Sequence, residues 1–251
     1  MAGQPGDEEL RGTTSGADRP VPILMYHQID QVPPRGTPFR ELTVDPSNFR
    51  TQMHRLKRLG FIGLSMHDLK PYLSGQKSGR VVGITFDDGF QNVHTYALPV
   101  LSSLGFTATN YFVSRQIGGS NVWDAEVGVP AAPCMSKLEL LEWTAACNEV
   151  GAHTLDHVHL PAIPAREAKR QIEDSRKELE DIVGNTVDAF CYPYGDVSEN
   201  VRCMVEDAGY AHATTTIRGR ARPSHDAFML PRRIARCSDG WMNVLRKCLT
   251  G

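Results

Sequence analysis

The residues Val81-Val82-Gly83-Ile84-Thr85-Phe86-Asp87-Asp88-Gly89 constrain this chain more than any other stretch. A short apolar run bounded by glycine reads as a buried strand. This one ends in two adjacent carboxylates and a glycine that releases the chain. Consecutive side chains of an extended segment point to opposite sides, so Asp87 and Asp88 can face different partners while staying close together. Asp-Asp-Gly is also good turn chemistry, and taken alone the stretch is as well read as a turn.

A second stretch, Gly151-Ala152-His153-Thr154-Leu155-Asp156-His157, places two imidazoles four residues apart. Two histidines at that spacing can reach one metal from a helical turn or a tight loop. A His pair alone arises by chance in many chains. Joined by an aspartate from a strand end, it supplies three ligands and leaves a coordination position open, which is the pattern of a catalytic metal.

Thr85 to Gly89, then His153 to His157, then Tyr192-Pro193-Tyr194-Gly195, in that order, resemble the polysaccharide deacetylase family, the metal-dependent carbohydrate esterases of the NodB-homology fold. Pro22-Ile23-Leu24-Met25-Tyr26-His27 resembles the opening strand of many members, so the likeness runs from about Val21 to the C-terminus. The first motif and the His pair are specific together, whereas Tyr-Pro-Tyr-Gly alone is an ordinary turn.

The resemblance implies a distorted α/β barrel, (β/α) with seven or eight strands, that removes N-acetyl groups from amino sugars of a poly- or oligosaccharide. It implies a divalent metal, Zn2+ ahead of Co2+ or Ni2+, on Asp88, His153 and His157, with Asp87 as the base. These roles suit the chemistry, because an acetamide is a poor electrophile and needs both an activated water and a stabilised oxyanion. The backbone N–H near Tyr194 is the implied oxyanion donor.

Two departures from the family pattern matter. Phe190-Cys191-Tyr192 stands where an arginine that orients the catalytic aspartate often begins the third motif. The late Leu-x-His that supplies a general acid is absent, and Phe228-Met229-Leu230-Pro231-Arg232-Arg233 occupies that region. This resembles the exopolysaccharide and biofilm-glycan branch, in which a late Pro-Arg replaces the missing arginine. Arg232 is therefore expected to steady Asp87, with Arg233 its neighbouring alternative. His212 and His225 lie in that half outside the expected context, so the leaving amine is expected to take its proton from Asp87, once protonated, or from water.

A chain of 251 residues accommodates one α/β barrel or two small domains. Its formal net charge of −2 excludes nucleic-acid binding through bulk charge, and a neutral glycan needs no such field. Residues 1–20 are polar and read as a disordered tail without the apolar core of a secretory signal, leaving 21–251 as the deacetylase domain. No apolar run reaches the length of a spanning helix. The six cysteines show no Cys-x-x-Cys spacing, so reduced thiols and a cytoplasmic address are expected.

From Val21 strands and helices alternate, which favours a parallel sheet with chemistry at the strands' C-terminal ends. Strands are expected at 21–27, 61–64, 81–86, 107–113, 189–192 and 211–216. Helices are expected from Asp45 or Ser47 to Gly60, at 66–73, 94–104, 136–150 and 197–208, and as an amphipathic helix that carries Ala168, Ile172, Leu179 and Ile182 on one face and ends at Gly184-Asn185. The segment 114–133 is irregular, and loops of that length are usually functional or mobile. His27 is either a pocket residue or a core histidine, and His159 competes with His157 as a ligand. Asp156 is either a support for the ligands or an exposed group. Trp123 and Trp143 are candidates for sugar contact, with Trp143 better explained as core. Hydrolysis of another C–N bond, as in deformylating or ring-opening relatives, is the main alternative function. A binding-only relative and a two-His-one-carboxylate iron oxygenase fit less well.

Overall fold

The computed structural model describes residues 19–250. Of the expected tail, residues 1–18 lie outside the described residues. In chain order the structure opens with β1 (Ile23–Tyr26), β2 (Gln28–Ile29) and β3 (Thr43–Val44), followed by α1 (Pro46–Arg58), β4 (Ile62–Leu64) and α2 (Met66–Leu73). The middle comprises β5 (Val81–Phe86), α3 (Leu98–Leu104), β6 (Thr109–Phe112), α4 (Lys137–Ala145), β7 (Glu149–Ala152) and α5 (Ala165–Val183). The chain finishes with β8 (Ala189–Cys191), α6 (Glu199–Asp207), β9 (His212–Arg218), β10 (Leu230–Ile234) and α7 (Trp241–Leu249).

The pairings form a closed ring of seven parallel strands, β1-β5-β6-β7-β8-β9-β10, with β10 returning to β1. The eighth strand, β4, pairs with the first half of β5 (Ile62 opposite Val81), while β6 pairs with its last two residues. The expected barrel of seven or eight strands is thus seven in the ring and one at its base.

Local chemistry explains most element ends. Asp45 caps α1 by accepting from the N–H groups of Ser47 and Asn48, an interaction worth about 1 kcal/mol. Ser136 and Glu139 form the expected capping box of α4. Phe49, Met53 and Leu56 of α1, with Ile172 and Leu179 of α5, are buried in the layer between helices and sheet. Trp143 is also core, and its indole N–H donates to the Glu149 carbonyl at 2.9 Å.

Three expectations need correction. The helix expected through Val150 stops at Ala145, because Cys147 turns left-handed (φ 62°) and the Asn148 side chain accepts the Ala108 N–H at 2.9 Å. Glu149–Ala152 then becomes a barrel strand, so the histidine motif follows a strand rather than a helix. The helix expected from His94 begins with a wider π turn over Val93–Ala97, since Pro99 has no N–H for the carbonyl four residues earlier. The strand β10 was not among the expected strands, and its Pro231 lacks the N–H that an interior strand uses. The register shift between Leu230 and Arg232 is the irregularity that accommodates it.

Candidate metal centre

Asp87 and Asp88 leave the C-terminal end of β5, whose edge is fixed by the Asp87 N–H donating to the Tyr26 carbonyl at 3.0 Å. Asp88 adopts φ 77°, a left-handed conformation uncommon outside glycine. That bend turns its carboxylate toward the histidines. Asp88 Oδ1 lies 3.4 Å from His153 Nε2 and 3.3 Å from His157 Nε2, and all three residues are buried.

The histidines are held by a tight loop after β7. The His153 N–H donates to the Phe112 carbonyl, and the His157 N–H donates to Thr154 Oγ1 at 2.9 Å. Gln171, reaching in from α5, accepts the N–H groups of Leu155 and Asp156 through one oxygen and donates to Asp156. Thr154 and His157 both have positive φ, 67° and 57°. Asp156 thus supports the loop through Gln171 and also pairs with Arg115 at 3.5 Å.

The donor set fits a divalent metal. His153 Nδ1 lies 2.7 Å from the Cys191 carbonyl, which can only accept, so Nδ1 carries a proton and Nε2 is the nitrogen turned to Asp88. Burial alone would raise the Asp88 pKa, but hydrogen bonds from the two imidazoles reverse the sign and hold it below the usual carboxylate range. Burial also lowers the His157 pKa, which keeps that ring neutral, as a ligand must be. Burial would lower the His153 pKa, but Cys191 and Asp88 outweigh it and raise it, so a metal would have to take the place of the Nε2 proton. One carboxylate and two imidazoles then suit Zn2+, Co2+ or Ni2+.

Asp87 faces the other way. Arg232 Nη1 and Nη2 donate to its two oxygens at 2.7 Å each. The guanidinium is fully engaged, with Nε donating to the Thr215 carbonyl, Nη1 also to Thr85 Oγ1, and Nη2 also to Cys191 Sγ at 3.1 Å. Its flat face lies 5.7 Å from the Tyr111 ring centre. Burial would push the Asp87 pKa up, but the Arg232 charge and hydrogen bonds outweigh it, leaving Asp87 ionised at neutral pH. Arg233, the alternative, points elsewhere and donates to the Thr250 carbonyl.

Tyr194 completes the expected set, with φ 60° in the turn after β8. The conformation depends on Gly195, because a Cβ there would run into the Thr216 side chain. The Tyr194 ring meets His157 edge-on at 4.5 Å and stacks on His159 at 3.8 Å. His159 itself is about half exposed and pairs with Asp196, so it braces Tyr194 and does not join the ligand cluster.

Five of the six residues expected at the site, Asp87, Asp88, His153, His157 and Tyr194, thus line one cavity of about 340 Å³, which His27, Trp123 and Asp124 also line, while Arg232 is buried behind Asp87. His27 Nε2 lies 3.9 Å from Asp87 Oδ2. Trp123 stacks on the His157 ring at 4.7 Å, so it touches the histidine pair as well as the cavity. Burial and the Asp88 charge raise the Asp124 pKa to about 6. Asp124 and Gln171 were not singled out from sequence, and the only signal for Asp124 was its place in the irregular segment. His212 and His225 line a separate cavity at the other end of the barrel, where β9 begins.

The polysaccharide deacetylase family model matches residues 74–213. A poly-beta-1,6-N-acetyl-D-glucosamine N-deacetylase of Staphylococcus aureus is 24% identical over 206 residues, covering 77% of this chain and 68% of that protein. A polysaccharide deacetylase structure from Bacillus cereus superposes with a TM-score of 0.77 at 27% identity, covering 92% of this chain and 69% of that one. The Streptococcus pyogenes deacetylase PplD shares the fold at a TM-score of 0.80 and 24% identity, covering 92% and 99% of the two chains.

Proposed function

The chain belongs to the polysaccharide deacetylase family, and from that premise we propose that it hydrolyses the N-acetyl groups of N-acetylglucosamine-type residues in a glycan, using Asp87 as base and Asp88, His153 and His157 as ligands to Zn2+. The observation that carries this reading is the division between two adjacent carboxylates. Asp88 is enclosed by two imidazoles, while Asp87 is locked by a two-point guanidinium contact.

A divalent metal on the three ligands supplies Lewis acidity, which polarises the acyl group and acidifies water. Arg232 keeps Asp87 ionised and oriented, so its carboxylate can take a proton from the attacking water. The Tyr194 turn presents its backbone N–H toward the developing oxyanion. His27 lines the cavity beside Asp87 and is 16% exposed at its side chain. It is placed to protonate the leaving amine, a role for which His212 and His225 are at the wrong end of the barrel.

Acetate release from an N-acetylglucosamine oligomer tests the proposal. Release should be abolished by a chelator and restored by Zn2+, with Co2+ and Ni2+ as comparison metals. Turnover of ureide or N-formyl substrates without acetate release from any acetylated glycan would transfer the site to another C–N bond. Zinc failing to restore activity where Co2+ or Ni2+ succeeds would overturn the metal assignment alone. Among the described residues no helix is long and apolar enough to cross a membrane.

A further inference from the structure

The segment Val122–Val127 inverts the usual burial preference. Val122 and Val127 are 57% and 56% exposed, while Asp124 between them is only 9% exposed. Apolar side chains ordinarily go inward and carboxylates outward, so something other than packing energy sets this arrangement. Asp124 makes no ion pair among the described residues, and it lies outside the clusters of ligand atoms close enough to share a metal. Asn121 and Trp123 are the neighbours that lean on its carboxylate.

Its position is distinctive. A second cavity of about 340 Å³ adjoins the one over the metal ligands, walled by Pro33, Pro38, Pro130 and Pro133. His27, Phe39, Leu42, Asp88 and Asp124 line both cavities and so mark their junction. The segment carrying Asp124 is well anchored. The Asp124 N–H donates to the Asn121 carbonyl at 3.1 Å, Asn121 Oδ1 accepts the Ala132 N–H at 2.7 Å, and Trp123 stacks on His157. The carboxylate is therefore held in fixed relation to a metal ligand.

We propose that Asp124 contacts the substrate directly, accepting a hydrogen bond from a hydroxyl of the sugar that spans the junction and so orienting its acetamide toward Asp87 and Asp88. An acetylated amino sugar within a glycan can offer a hydroxyl on a ring carbon next to the one bearing its acetamido group, and a carboxylate is the strongest side-chain acceptor for it. A contact of this kind is present in the bound substrate as well as in the transition state, so its loss shows in KM more than in kcat. The inference rests on the deacetylase reading of the same site.

Asp124→Asn and Asp124→Ala, assayed on an acetylated glucosamine oligomer, separate this role from a structural one. The expected result is a rise in KM on the order of tenfold for Asp124→Ala, a smaller rise for Asp124→Asn, which keeps an acceptor oxygen, and a smaller change in kcat than in KM. Bound metal and thermal midpoint should match wild type. A KM within about twofold of wild type in both variants, or metal lost in step with activity, overturns the assignment. Wild-type protein that releases no acetate from any acetylated glycan removes the deacetylase reading itself, and that outcome is read without any variant.

Discussion

Where the strands begin, Ile23, Met66, Leu69, Val81 and Leu230 close the barrel with apolar side chains, whereas where they end, Asp87, Asp88, His153 and His157 crowd into one cavity with Arg232 buried behind Asp87. Polar groups at the closed end mostly find partners within the fold. Glu149 accepts from the His67 N–H and from Thr109, Lys70 pairs with Asp188 at 2.9 Å, and Thr107 donates to Asp68. At the open end Asp88, Thr154, His157 and Tyr194 all sit at positive φ. Residues held in such conformations cost of order 1–3 kcal/mol each and persist only when their surroundings over-determine them. Stability belongs to the closed end, and the open end spends part of it on geometry.

The sharpest way to test that division is to remove the two carboxylates singly. Asp87→Asn should keep its metal and lose roughly 10²–10⁴-fold in kcat, the range of general acid–base catalysis. Asp88→Asn should lose the metal itself. Elemental analysis after dialysis distinguishes them, and equal metal loss in both variants would sink the assignment of roles.

Next in size is Arg232→Gln, which leaves the Asp87 carboxylate buried without its partner. Breaking a buried pair in this way costs about 3–5 kcal/mol, read from denaturant midpoints. The sign with pH also follows. The folded Asp87 pKa is lowered, so the pair stabilises the fold above the unfolded carboxylate value of about 3.9 and is lost as pH falls through the folded value. In Arg232→Gln burial is opposed only by the weaker influence of His27 and His153, so the acid limb of kcat/KM should move to higher pH. An unmoved acid limb would mean that Asp87 is not the group titrating there.

The open end was legible in sequence to an unusual degree because its chemistry needs particular residue types. An aspartate at the strand end and the His pair could be grouped from spacing and charge alone, while the choice of Asp88 over Asp87, and the parts of Arg232 and Tyr194, needed the family likeness. What the sequence did not reveal was long-range support. Gln171 reaches the histidine loop from a helix that begins eight residues beyond His157, and nothing in its own neighbourhood marks it. Asp124 lay in an irregular segment whose burial pattern contradicts its composition. Local signals also misled where tertiary contacts overrode them, as when Asn148 bonded to the neighbouring strand instead of continuing α4. Strand β10 went unread, and the register shift beside Pro231 is the tertiary feature that lets it form.

The closed end should respond in the opposite sense to the open one. Leu69 is fully buried in its apolar cluster. Leu69→Ala should cost about 2–5 kcal/mol of stability while kcat and metal content stay near wild type at temperatures where the variant is folded. A large fall in kcat without metal loss, measured well below the melting point, would show that the two ends are mechanically coupled.

The smallest effect is expected from the two late histidines. His212 is 3% exposed at the start of β9, and burial lowers its pKa to about 4, so it is neutral across the working pH range. Neither of its ring nitrogens has a hydrogen-bond partner among the described residues. His225 is exposed and lines the same closed-end cavity of about 250 Å³. Neither lines the cavity that holds Asp87, Asp88 and His27. His212→Ala and His225→Ala should each leave kcat within about tenfold of wild type, below the usual 10²–10⁴-fold contribution of a general acid. His27→Ala, tested beside them, should lose that larger factor with its metal retained, because a proton donor must come within reach of the leaving amine. If His212→Ala or His225→Ala falls by the larger factor with fold and metal intact, a late histidine does reach the reaction, and the closed end is not closed.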